Sequence, residues 1–359
     1  MSEIERKLNA LRAAMSHEHL GLIRLRGIDW YAWATCGGSS AVLLAAEVGV
    51  AEVLITPQDA IILTDEIEAA RLDAEENPAR LPVKAVPWNQ PALREQVALE
   101  LAASDRVASD RPTAQEIPLP ESVFQARWEL EPEELERYRS LGRDAAEAMT
   151  DVLLQAQPDW TGWRLAGAGA EAMWRRGIQP NLTLVGDERR LPVYRHATAS
   201  QNVIGQRAML VFCGRRHGLY ANLTRFIYFR QPSADEQRLV ADVASVEARA
   251  LDASQPGATL GEVYESIVRA YAEFGHPGAE IKHHQGGSCG YGARDSLGLP
   301  GNPVRLSARN AVAWNPSLPG AKIEDTFVIG ADGAENLTFD PRWPTTTVEG
   351  RARPALLVR

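Results

Sequence analysis

Residues 283–295 read HHQGGSCGYGARD and set two imidazoles beside a glycine-rich turn, a thiol, a phenol and an Arg-Asp pair. A neutral imidazole binds transition metals, and near its ordinary pKa of about 6.5 it moves protons at neutral pH. The stretch therefore reads either as half of a metal site or as part of a metal-free acid/base site. A third chemistry, a Cys289–histidine nucleophile, competes with the commoner state of a buried, inert thiol. Gly286, Gly287 and Gly290 serve backbone geometry, since no strand-to-helix phosphate loop surrounds them. His283 reads as a packed or backbone-bonded residue and His284 as the pocket member.

Such residues must be held by a mixed α/β chain. In the first 120 residues, ERKLNALRAAMSHEH has helical spacing and LGLIRLRGIDWYAWAT reads as a strand, with Trp30, Tyr31 and Trp33 near its end. EVLITPQDAIILTD reads as a hairpin turning at residues 57–59, and EIEAARLDAEEN as a helix. The proline-rich run DRPTAQEIPLPES places a domain boundary near residue 125, giving domains 1–125 and 126–359. Beyond it, EPEELERYRSLGRDAAEAMTDVLLQA predicts a long helix with an acidic first turn. TGWRLAGAGAEAMWRRG predicts a second, and SADEQRLVADVASVEARALDAS and TLGEVYESIVRAYAEFG two more. β-rich runs lie between these pairs and after them.

The 359-residue chain is long enough for two cores. Its 45% hydrophobic and 24% charged residues are those of a soluble globular protein. A net charge of −9 argues against nucleic acid, and no apolar run is long enough to span a bilayer. Three cysteines without CxxC spacing read as reduced thiols in a cytoplasmic protein.

The order of these elements, with GLYANLTRF, WNPSLPG and KIEDTFVIGADGAENLT in sequence, resembles the pita-bread fold of methionine aminopeptidase, aminopeptidase P, prolidase and creatinase. The resemblance covers about residues 126–345. The first 120 residues resemble the small N-terminal domain of the creatinase/prolidase branch. It implies an α/β (α+β) protein, a homodimer, with a pocket in the second domain. Metal-dependent relatives hold two ions with Asp, Asp, His, Glu and Glu in chain order. Here the first Asp position falls near Val211, and no acidic residue lies between Glu188 and Asp235. Asn222 stands at the second Asp, His284 at the His, Asn315 at the first Glu and Glu324 at the last. Two neighbouring dications need bridging carboxylates to offset their repulsion, so no metal and no cofactor is expected.

Creatinase, a member that works without metal, hydrolyses a C–N bond with a histidine as acid/base. His196 falls at the place of that pocket histidine, and His284 and Glu324 also remain. The resemblance thus implies a catalytic set in which His196 is acid/base, His284 polarises the substrate and Glu324 binds or activates water. Thr224 and Tyr291 replace a creatine-binding glutamate and a second pocket histidine, so creatine is not the expected substrate. Asn222, Arg225, Tyr291, Arg294 and Asn315 are the candidate substrate-binding residues; a guanidinium from Arg225 or Arg294 would take a substrate carboxylate bidentately. For each arginine the competing reading is a structural ion pair, such as Arg294 with Asp295. The expected function is metal-independent hydrolysis of a C–N bond in a small amino-acid-derived or short-peptide ligand. A non-catalytic pocket protein and a metal-dependent Xaa-Pro peptidase are the rivals.

Overall fold

In the computed structural model, residues 1–103, 105–331 and 333–359 are described; Asp332, within the DGAENLT run, lies outside them. The chain divides into two units, Met1–Glu134 with His217–Leu219, and Leu135–Arg216 with Tyr220–Arg359.

The first unit runs α1 (Glu3–Glu18), β1 (Leu20–Gly27), α2 (Ile28–Ala34), β2 (Val48–Ile55), β3 (Ala60–Asp65), α3 (Ala69–Glu75), β4 (Val83–Val86), α4 (Ala92–Ala102), β5 (Arg106–Ser109), β6 (Ile117–Pro118) and α5 (Glu121–Trp128). Its strands form one sheet in the order β4-β3-β2-β1-β5-β6, with β2 and β3 as the antiparallel hairpin. The aromatic run is placed differently from the expectation, on α2 rather than on a strand. The Asp110 carboxylate takes the N–H groups of Arg26 and Gly27 at 2.7 Å each, ending the β1 ladder, and Gly27 becomes the helix N-cap. Trp30, Tyr31 and Trp33 are core residues. Trp30 meets Trp33 and Phe124 edge-on, so the stretch offers no exposed apolar face to a partner. The units part after Glu134 rather than near 125, because α5 packs on α1.

The second unit contains most of α6 (Pro132–Gln155), then α7 (Gly162–Trp174), β7 (Gln179–Asp187), β8 (Arg207–Arg216), β9 (Leu219–Tyr228), α8 (Ala234–Ala253) and α9 (Leu260–Glu273). The short strands β10 (Gly286–Cys289), β11 (Ser296–Leu297), β12 (Ala311–Trp314), β13 (Ser317–Leu318), β14 (Ala321–Lys322), β15 (Phe327–Gly330) and β16 (Gly333–Asn336) follow, then β17 (Thr345–Val348), β18 (Arg351–Pro354) and β19 (Leu357–Val358). Capping boxes, Ser233 with Glu236 and Thr259 with Glu262, start α8 and α9 where the sequence places them. The apolar faces of these helices bury Val243, Leu251, Val263 and Ile267 against Val312, Trp314 and Ile329.

Two sheets carry the chemistry, one ordered β19-β9-β8-β7 and the other β11-β10-β12-β15-β16. A backbone bond from the Thr224 N–H to the Glu324 carbonyl, 3.0 Å long, joins β9 to the chain just before β15. Gly286 lies beside Trp314 in the β10–β12 ladder with φ 99°, and a Cβ there would sit 2.1 Å from the Ala313 carbonyl oxygen. The glycine is needed for both reasons, and it sets the course of the chain that carries the histidine pair just ahead of Gln285.

Candidate active site

A cavity of about 440 Å³ opens within the second unit. Leu182 and Leu184 of β7 and Val211, Phe212 and Cys213 of β8 line it, so it has an apolar floor. Its polar wall includes His196, Asn222, His284, Arg294, Asn315, Lys322 and Glu324, with Asn181 and Thr198 beside them.

Strand alternation decides which β9 residues reach this wall. Asn222 lines the cavity, and two positions on, the Thr224 hydroxyl donates to Glu324 Oε2 at 3.0 Å. Arg225 falls on the opposite face. Its guanidinium donates to Asp325 Oδ1 at 2.8 Å and to the Thr338 carbonyl at 2.9 Å. The substrate-binding expectation for Arg225 is thereby corrected to the competing reading of a structural ion pair. Asp325 also accepts from the Thr338 hydroxyl and pairs with Arg353, which grips Glu247 with two bonds of 2.7 Å. Tyr291 is also corrected: its ring is 1% exposed and lies outside the cavity wall.

Glu324 is held from three sides. Arg294 donates to Oε1 at 2.5 Å, Lys322 approaches Oε2 at 3.0 Å, and Thr224 shares Oε2. Arg294 therefore pairs with Glu324 rather than with Asp295. Burial raises the Glu324 carboxyl, but Lys322 and Arg294 outweigh it and hold it down to about 2. A carboxylate so stabilised is a poor proton acceptor, which corrects its expected role in activating water. Lys322 was not among the expected site residues. The signal was present in KIED: two residues before Glu324 on an extended chain, Lys322 shares its face.

The imidazoles form a cluster. His283 Nε2 lies 2.9 Å from His196 Nε2, and the rings of His283 and His284 stack with centroids 4.5 Å apart. Gln285 fixes the pair from behind. Its amide donates to the His283 carbonyl at 2.5 Å and accepts from the Tyr271 hydroxyl at 3.1 Å. His283 is thus a partner of His196, where a packed or backbone-bonded residue was expected; spacing cannot show a contact spanning 87 residues. Burial pushes His283 down to about 2 and His284 to about 4, assisted by Lys322 at the first and Arg294 at the second. Burial and Lys322 also lower His196. All three are neutral at pH 7, so one proton lies between His196 and His283. That bond occupies Nε2 of His196 and leaves its other ring nitrogen for a further partner. Cys289 is buried with its thiol pushed up to about 12, so it is no nucleophile.

Residues 136–331 match the family model described as metallopeptidase family M24. No curated protein matches the chain. Among solved structures, the chain is similar to the dipeptidase PepE from Mycobacterium ulcerans, with a TM-score of 0.78, 19% identity, and 99% of this chain and 98% of that one covered. It is also similar to the prolidase from Pyrococcus horikoshii OT3, with a TM-score of 0.78, 17% identity and coverage of 94% and 99%. The X-Pro aminopeptidase from Thermotoga maritima MSB8 gives a TM-score of 0.77, 18% identity and coverage of 98% and 99%. These likenesses give the two-domain pita-bread fold over nearly the whole chain. No described helix is long and apolar enough to cross a membrane.

Proposed function

The chain belongs to metallopeptidase family M24, and from that premise we propose that it hydrolyses a C–N bond in a small amino-acid-derived substrate without a pair of metal ions. The observation that carries this reading is the occupancy of Glu324. It is the one carboxylate among the described residues lining the cavity, and Arg294, Lys322 and Thr224 engage both its oxygens. A dinuclear centre does not fit this donor set. Asn222 and Asn315 are neutral, Val211 is apolar, and two fixed cations stand beside the remaining anion where dications would need further negative charge.

The reaction adds water across the C–N bond and yields an acid and an amine. His196 takes a proton from the attacking water through its free ring nitrogen while Nε2 stays bonded to His283, then returns that proton to the leaving nitrogen. His284, neutral and on the same wall, donates a hydrogen bond to the carbonyl oxygen as charge develops there. Glu324 acts indirectly, holding Lys322 and Arg294 in place. A second reading, one ion held by imidazoles, draws on the donor atoms of His196, His283 and His284 lying within 4.8 Å of one another. The ammonium of Lys322 opposes it.

Elemental analysis and turnover of amide substrates with and without chelator test the proposal. Less than about one equivalent of metal, no loss on chelation, and a roughly 10²-fold drop in His196→Ala are expected. Two ions per chain lost together with activity, or full activity in His196→Ala, would refute it. One equivalent bound with imidazole ligation would favour the second reading.

A further inference from the structure

We propose that the ligand of this cavity is a small carboxylate with a secondary amide and no ammonium group, of the N-acyl amino acid class; the inference rests on the C–N hydrolase reading above. Charge is the first observation. The cavity wall holds two cations, Arg294 and Lys322, against one anion, Glu324. The surplus positive charge sits in a space with a largely apolar floor, where it is weakly screened and favours an incoming anion.

The second observation concerns what an ammonium would find. A dipeptide with a free N-terminus needs a carboxylate or a cluster of acceptors for its amine. Both oxygens of Glu324 are already taken, at 2.5 Å by Arg294 and at 3.0 Å by Lys322 and Thr224. An ammonium would also meet Lys322 at like charge. Acylating the amine removes this cost and supplies an apolar group for the floor of Leu182, Leu184 and Phe212.

The third observation selects the amide. Asn315 lines the cavity, is 1% exposed, and its Oδ1 has no hydrogen-bond partner among the described residues. A buried acceptor of this kind needs a donor, and the N–H of a secondary amide is one. An Xaa-Pro bond is a tertiary amide without that hydrogen, so it leaves Asn315 unsatisfied.

Calorimetric titration of the full chain with N-acetyl-leucine, N-acetyl-leucinamide, N-acetyl-proline and leucyl-proline separates these terms. N-acetyl-leucine should bind at least about tenfold more tightly than each of the other three. Lys322→Met should erase the preference for the acid over its amide, and Asn315→Ala, which leaves the charge cluster intact, the preference for leucine over proline. Leucyl-proline binding as tightly as N-acetyl-leucine, or no binding of N-acetyl-leucine at millimolar concentration, would overturn the inference. Binding of N-acetyl-leucine without turnover would uphold it while counting against the hydrolase reading. Turnover of leucyl-proline without binding of N-acetyl-leucine would do the reverse.

Discussion

Glu324→Gln should destabilise the protein strongly, although the substitution keeps the shape of the side chain. In the folded chain this carboxylate is the shared anion of two nearly buried cations, with side chains of Arg294 and Lys322 15% and 5% exposed. Removing one partner of a buried pair costs about 3–5 kcal/mol, because the other charge stays out of water without compensation. A glutamine oxygen still accepts one neutral hydrogen bond, so a net loss of about 3 kcal/mol is expected. Adding Lys322→Met removes the more buried of the stranded charges, and the double variant should recover at least about 1 kcal/mol of that loss. Urea unfolding of the four proteins closes the cycle, with the m-value checking that the transition keeps its character. A loss below 1 kcal/mol in Glu324→Gln, or strict additivity in the double variant, would show that the three groups are not electrostatically coupled.

Acid should expose the cost of keeping His284 neutral. Its folded pKa of about 4 lies below the unfolded value of 6.5, so its stabilising contribution is full above pH 6.5 and drains away as pH falls toward 4. Because the ring is partly exposed and its interactions are screened, the stability difference between the native chain and His284→Gln should change by only about 1 kcal/mol over this window; a pH-independent difference would contradict it. Gly286→Ala should cost several kcal/mol in the same unfolding assay, since φ is 99° and the new Cβ would meet the Ala313 carbonyl at 2.1 Å. A near-neutral result would mean that β10 and β12 separate easily.

Much of this arrangement is legible in the sequence because it follows from period and spacing. The long helices carry their caps in the chain, and the replacement of carboxylates at Asn222 and Asn315 is a fact of composition. Arg225 could have been excluded from the pocket by the same reasoning. If Asn222 faces inward, a residue three further along the strand faces outward. Two features were not accessible. The strand-like pattern of residues 20–35 conceals a helix, because an Asp110 carboxylate distant in sequence ends the strand. The contact of His283 with His196 depends on where the connection between β7 and β8 folds back, which local pattern does not encode.

The buried grip of Arg353 on Glu247 and Asp325 gives the C-terminal hairpin a hold on the pocket that it does not line. Asp325 is the residue after Glu324, and it also anchors Arg225. A protease cut or a deletion between β17 and β18 would remove no cavity residue, yet it would strip one cation from a buried group of two arginines and two carboxylates. Glu247, already pushed up to about 7 by burial despite Arg353, would then take up a proton. Damage at this remote edge would be read out as loss of ligand affinity. Preparations with clipped tails would therefore mimic active-site lesions.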